Sequence, residues 1–158
     1  MEVKNRELIR GTSDWTSPSL IEEVVSDYST HHWLNLDNMM NWEDKTYAIV
    51  ENGVRKSVPS QTFKCSGFIF DIPNNVEITN VEVRLLVIDD TNGGTNIKDN
   101  SIKLCGKTIK CYSTFWNEQN SEIRTYSLNI SDIDDVTFEY SCIGTGSDYQ
   151  IPLIYGVQ

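Results

Sequence analysis

The chain has 158 residues, with 23 acidic side chains against 13 basic ones and a formal net charge of −10. No cluster of Lys and Arg offers a sequence-independent grip on nucleic acid or an attraction to an anionic membrane surface. One alanine, Ala48, stands against 41 valines, isoleucines and threonines, which argues against helical bundles and doubly wound α/β folds and for an all-β domain.

Residues 1–40 read as an irregular N-terminal arm. Its opening stretch, MEVKNRELIR, is too polar for a signal peptide. Ser19–Val25 fits a short helix with Ser19 as N-cap and Glu22 completing a capping box, and it equally fits a strand through Val24 and Val25. Residues 41–158 then alternate strand and turn. Thr46–Val50 is a strand closed by the turn pair Asn52-Gly53, and Thr62–Phe70 is a strand that ends before Ile72-Pro73. Val76–Asp89 alternates most clearly, with a parity slip near Thr79–Asn80 that predicts a bulge or tight bend. Asp89–Asn100 has the composition of a loop. Strands follow at Ser101–Leu104, Thr108–Tyr112, Arg124–Leu128, Thr137–Ile143 and Ile151–Val157, the last apolar enough to require a central place in a sheet or a pairing with another chain. About eight strands with polar turns predict a two-sheet β-sandwich of jelly-roll type.

Little in the sequence carries reaction chemistry. Cys65, Cys105, Cys111 and Cys142 include no CxxC pair, and His31-His32 would point to opposite faces of a strand, so a zinc site is not expected. The cysteines read as reduced small hydrophobes, with a Cys105–Cys111 bridge across a short hairpin as the alternative. The carboxylate pairs Glu22–Glu23, Glu43–Asp44, Asp89–Asp90 and Asp134–Asp135 look like turn or surface positions, whereas an acid and base pair needs contrasting environments. No nucleophile elbow or phosphate loop is present, so an enzyme is not expected. No cofactor is expected either. Calcium at the 89–100 loop is the one metal reading that the Asp and Asn content allows, and the same residues favour plain turns.

Binding is the remaining class. Trp116 with Asn117 has the aromatic-plus-amide character that stacks and hydrogen-bonds a sugar, and its alternative is a buried anchor. Trp15, Trp33 and Trp42 stand in a polar setting and read as assembly anchors, since buried aromatics hold interfaces together.

The run Phe68-Ile-Phe-Asp-Ile-Pro73, Val76-Glu-Ile78 and Val81-Glu-Val83 resembles β-sandwich, jelly-roll-like domains of bacteriophage virion proteins. Lys98–Leu104, Trp116 ahead of Thr125-Tyr126, Asp132–Asp135 ahead of Phe138, and Ile154-Tyr155 agree with it over residues 42–158. The arm has no counterpart in that pattern. The resemblance implies a non-enzymatic tail, baseplate, fibre or head-decoration component, made in the host cytoplasm and resident in the virion. Its partners would be other virion proteins and copies of itself. A carbohydrate-binding adhesin module that contacts a host-surface glycan is the second reading.

Overall fold

A computed structural model of the chain describes residues 15–26, 29–91, 96–118 and 120–158. Ten strands form two five-stranded sheets. The first sheet has the order β1 (Leu20–Val24), β4 (Thr62–Ser66), β9 (Phe138–Gly144), β6 (Ile97–Leu104), β7 (Lys107–Thr108). The second has the order β2 (Trp33–Leu34), β3 (Ala48–Val50), β10 (Pro152–Val157), β5 (Val81–Asp89), β8 (Glu122–Leu128).

The pairs β3·β10, β4·β9, β5·β8 and β6·β7 are all antiparallel and nested in sequence. They are the pairs of one long hairpin rolled up on itself, and β10·β5 and β9·β6 stitch the roll into two sheets. This is the jelly-roll arrangement, an eight-stranded roll that the strand count anticipated. The tip of the hairpin is a two-residue turn in which Cys105 (φ 52°) and Gly106 (φ 75°) both take the left-handed region, as a type I′ turn requires. Asn52 (φ 60°) and Gly53 (φ 71°) do the same after β3.

Alternation fixes the core. Val81, Val83, Leu85 and Val87 of β5 face inward, while Glu82 faces solvent. Opposite them lie Phe63, Ile102, Leu104, Phe138 and Tyr140 of the first sheet. The apolar β10 sits between β3 and β5, the central place its composition demanded.

Of the lead-in segment expected over residues 1–40, residues 1–14 lie outside the described residues, and residues 20–40 pack onto the sandwich: β1 extends the first sheet beyond β4, β2 extends the second beyond β3, and a short 3-10 helix (Leu36–Met40) packs beside β10 and β3. Ser19–Val25 is therefore a strand region, with Ile21 buried on the inner side. The predicted loop ends early, because β6 begins at Ile97 and buries Ile97 and Asp99 on alternate positions. The parity slip at Thr79–Asn80 is not a bulge, since β5 starts only at Val81; the register shifts fall at Asp99/Ser101 and Ile154/Gly156. Finally, Ile109 still bonds the Ile102 carbonyl of β6, and residues 110–112 then leave the first sheet and cross toward β8.

The first two strands also close one side of the sandwich. Glu23 of β1 accepts a hydrogen bond from the backbone N–H of Trp33 at 2.7 Å and pairs with the His32 ring beside β2. The contact joins an edge of one sheet to an edge of the other. The Glu23 hydrogen bond, and then its charge, raise the His32 pKa above its ordinary value. A histidine raised in the folded state adds stability that is complete below about pH 6.5 and is lost as pH rises through the folded value. Urea unfolding at pH 6 and pH 8 is thus expected to give a larger stability gain on acidification for the native chain than for His32→Gln.

Candidate interaction surface

A polar group lies in the middle of the apolar core. Asp99 on β6 is buried, and its Oδ1 accepts from the Tyr140 hydroxyl on β9 at 2.5 Å. Its Oδ2 accepts from the Tyr126 hydroxyl on β8 and from the backbone N–H of Tyr112, both at 3.0 Å. Arg124 on β8, also buried, approaches Oδ1 at 3.4 Å and donates to the Thr114 carbonyl at 2.9 Å. Burial works against the Arg124 charge, but Asp99 and then Glu122 more than offset it and leave its pKa raised. Burial, reinforced by the Asp99 charge, lifts the Tyr126 phenol far above its usual range and keeps it a donor. Trp116 stacks on Tyr140 at a centroid distance of 6.4 Å and is only 2% exposed.

Position 116 therefore supplies a core anchor. Sugar stacking needs an exposed ring, and this one is buried against Tyr140, while the Trp116 backbone N–H donates to the Ile97 carbonyl at the start of β6 at 2.8 Å. Asn117 remains at the surface, and its backbone carbonyl accepts from Asp89 N–H at 3.0 Å. Trp33 is buried edge-on to Phe63, with its indole N–H donating to the Gln61 carbonyl at 2.8 Å.

Trp15 and Trp42 meet elsewhere. Arg84 points outward from β5, and its guanidinium lies over the Trp15 ring at 4.2 Å and over the Trp42 ring at 4.3 Å. Its Nε also donates to Gln158 Oε1 at 3.1 Å. Trp42 rests over Gly156, where an added Cβ would come within 2.8 Å of its ring. A cation held between two indoles fixes residue 15 to the outer face of the second sheet.

That outer face carries apolar side chains on each of its five strands toward one end, while Glu82 and Arg84 of β5 and Thr125 and Ser127 of β8 make its other end polar. The register places Leu34, Ile49, Leu153 and Ile88 in one row, and Leu86 with Ile123 in the next. Trp15 is 41% exposed, Leu34 42% and Ile123 53%, and Tyr47, packed edge-on to Tyr155, is also exposed. An ordinary antiparallel strand turned to water would alternate to polar residues here. Alternation reveals each outward residue in the sequence, but only the register shows that they line up.

The described acidic and amide side chains of the 89–100 segment serve separate neighbours. Asp89 is buried, and its Oδ1 accepts from Thr91 N–H at 3.0 Å, while Asp99 serves the core and Asn100 donates to Ser141 at 3.0 Å. Burial raises the Asp89 pKa against the Thr91 hydrogen bonds that lower it. Asn92 lies outside the described residues, and no group of three or more His, Cys, Asp or Glu suited to a metal occurs among the described ones. All four cysteines are free thiols; Cys65 and Cys142 are buried, and burial pushes both pKa values up. Against known protein families and curated proteins, this chain finds no match.

Two substitutions test these arrangements. Arg124→Met leaves the Asp99 charge buried without its cation and is expected to cost about 3–5 kcal/mol in urea unfolding, much of which Asp99→Asn restores in the double variant. Gly156→Ala drives a methyl group into the Trp42 ring and is expected to cost about 1–3 kcal/mol, with a change in tryptophan fluorescence as the stack opens.

Proposed function

We propose that this chain is a non-enzymatic structural component of a bacteriophage virion, a tail, fibre or head-decoration protein that works through protein–protein assembly. One observation carries the assembly reading: the second sheet turns apolar side chains outward across all five strands, with Trp15 and Leu34 exposed among them. Surfaces of this kind mark interaction sites, because leaving them in water forfeits the stabilisation that burial gives. The jelly roll and the landmark run from Phe68 to Val83 support the virion setting. The buried charges serve packing: Asp99 binds Tyr140 and pairs with Arg124, and Arg124 also holds the crossing segment at the Thr114 carbonyl.

The glycan reading shifts from Trp116 to Trp15, the exposed tryptophan, which has Arg84 and Gln158 as polar neighbours. The two readings part on a single substitution. Leu34→Glu sits on an exposed edge position, so it is expected to change unfolding free energy by no more than about 0.5 kcal/mol. In the assembly reading, mass spectrometry of density-purified particles finds the native chain at a fixed copy number and the Leu34→Glu chain depleted. Absence of the native chain from particles overturns the proposal. A tryptophan fluorescence change on glycan titration that Trp15→Ala abolishes supports the glycan alternative instead.

A further inference from the structure

The second sheet ends at β8, a seven-residue strand whose far side meets no other strand among the described residues. The register with β5 fixes which groups face that open side. Arg84 exchanges both backbone hydrogen bonds with Gln158, on the β10 side, so its β8 neighbour Thr125 turns its own N–H and C=O away from β5. Ile123 and Ser127, two residues either side, share that orientation.

One side chain stands in for the missing strand. The Tyr112 hydroxyl donates to the Thr125 carbonyl at 2.9 Å and accepts from the Thr125 N–H at 2.9 Å. These are the two bonds that a paired strand would make at that position. The Tyr112 ring packs edge-on to Tyr126 and lies under the Arg124 guanidinium at 4.9 Å, while its backbone N–H is held by Asp99. Residues 109–113 thus run beside residues 125–127 across a groove, linked by a side chain and not by a backbone ladder.

We propose that β8 is a docking edge for β8 of a second copy of this chain, held shut in the single chain by the Tyr112 hydroxyl. An unpaired edge accepts an extended strand, and its own sequence identifies the strand that fits. Antiparallel pairing about a two-fold axis at Thr125 sets Thr125 opposite Thr125, Ile123 opposite Ser127, Arg124 opposite Tyr126 and Glu122 opposite Leu128. No like charges oppose one another, which matters for a chain of net charge −10. The pairing also covers Ile123, the most exposed apolar group on the strand. The interface is isologous, so it closes at two copies and joins two five-stranded sheets into one.

This inference deepens the assembly reading and rests on it for its biological setting. Sedimentation of the isolated chain separates the two: a chain that enters particles while its Tyr112→Phe form stays monomeric removes β8 pairing and leaves assembly standing. Sedimentation equilibrium is run on the native chain, Tyr112→Phe and Tyr112→Phe/Thr125→Pro, with near-ultraviolet circular dichroism confirming the fold of each. Removing the hydroxyl is expected to lower the dimer dissociation constant at least tenfold. Proline at 125 sacrifices no bond to β5 but ends the new ladder, so it is expected to restore native behaviour. Identical sedimentation of the native and Tyr112→Phe chains overturns the proposal, as does association that Thr125→Pro leaves in place. Should Tyr112→Phe not fold, a chain with Ile123→Cys and Ser127→Cys and Tyr112 intact decides the matter. Mild oxidation is expected to yield a covalent dimer that the native cysteines alone do not form, and its absence overturns the pairing.

Discussion

The Asp99 carboxylate is the polar constraint around which both sheets are arranged. It sits on β6 of the first sheet and binds Tyr140 of β9 beside it, Tyr126 and Arg124 of β8 across the sandwich, and the backbone at Tyr112. A buried carboxylate without such partners would be prohibitive, so these bonds must all be present together. They set the height of β8 against β9 and bring the crossing segment 109–116 to the sandwich edge. Trp116 then closes over Tyr140, and Tyr112 is delivered to Thr125. The guarded edge of β8 is a consequence of how the core is satisfied.

Charge is organised in two ways. Inside, Arg124 and Asp99 are matched between the sheets. Outside, the net charge of −10 is spread, and Arg84 is held between Trp15 and Trp42 on the apolar face. Association of such molecules has to overcome mutual repulsion, which favours interfaces built from apolar rows and backbone hydrogen bonds. Both candidate contacts of this chain, the outer face of the second sheet and the edge of β8, are of that kind.

Much of the fold is legible in the sequence because period-two alternation is a local property. Val81 to Val87, Phe138 to Tyr140 and the apolar β10 announce themselves. The misses share one cause. Asp99 reads as a turn residue because its acceptability in the core depends on three side chains 25 to 41 positions away. β1 and β2 read as an arm because each is short and makes sense only beside β4 or β3. Trp116 and Trp33 have the same local setting as Trp15, yet the first two are core and the last is surface. An indole's neighbours along the chain do not say which side of a sheet it occupies.

By itself the sequence determined the class of structure: one alanine among 41 β-branched residues, strands cut to length by turn signals, and an inner face chosen by alternation. Backbone preference and hydrophobic burial act residue by residue, so they can be read in order. Tertiary structure alone decided which strands are edges, which outward residues form a row, and which tyrosine hydroxyl reaches Thr125. Those outcomes rest on contacts between positions far apart in the chain, and no local pattern records them.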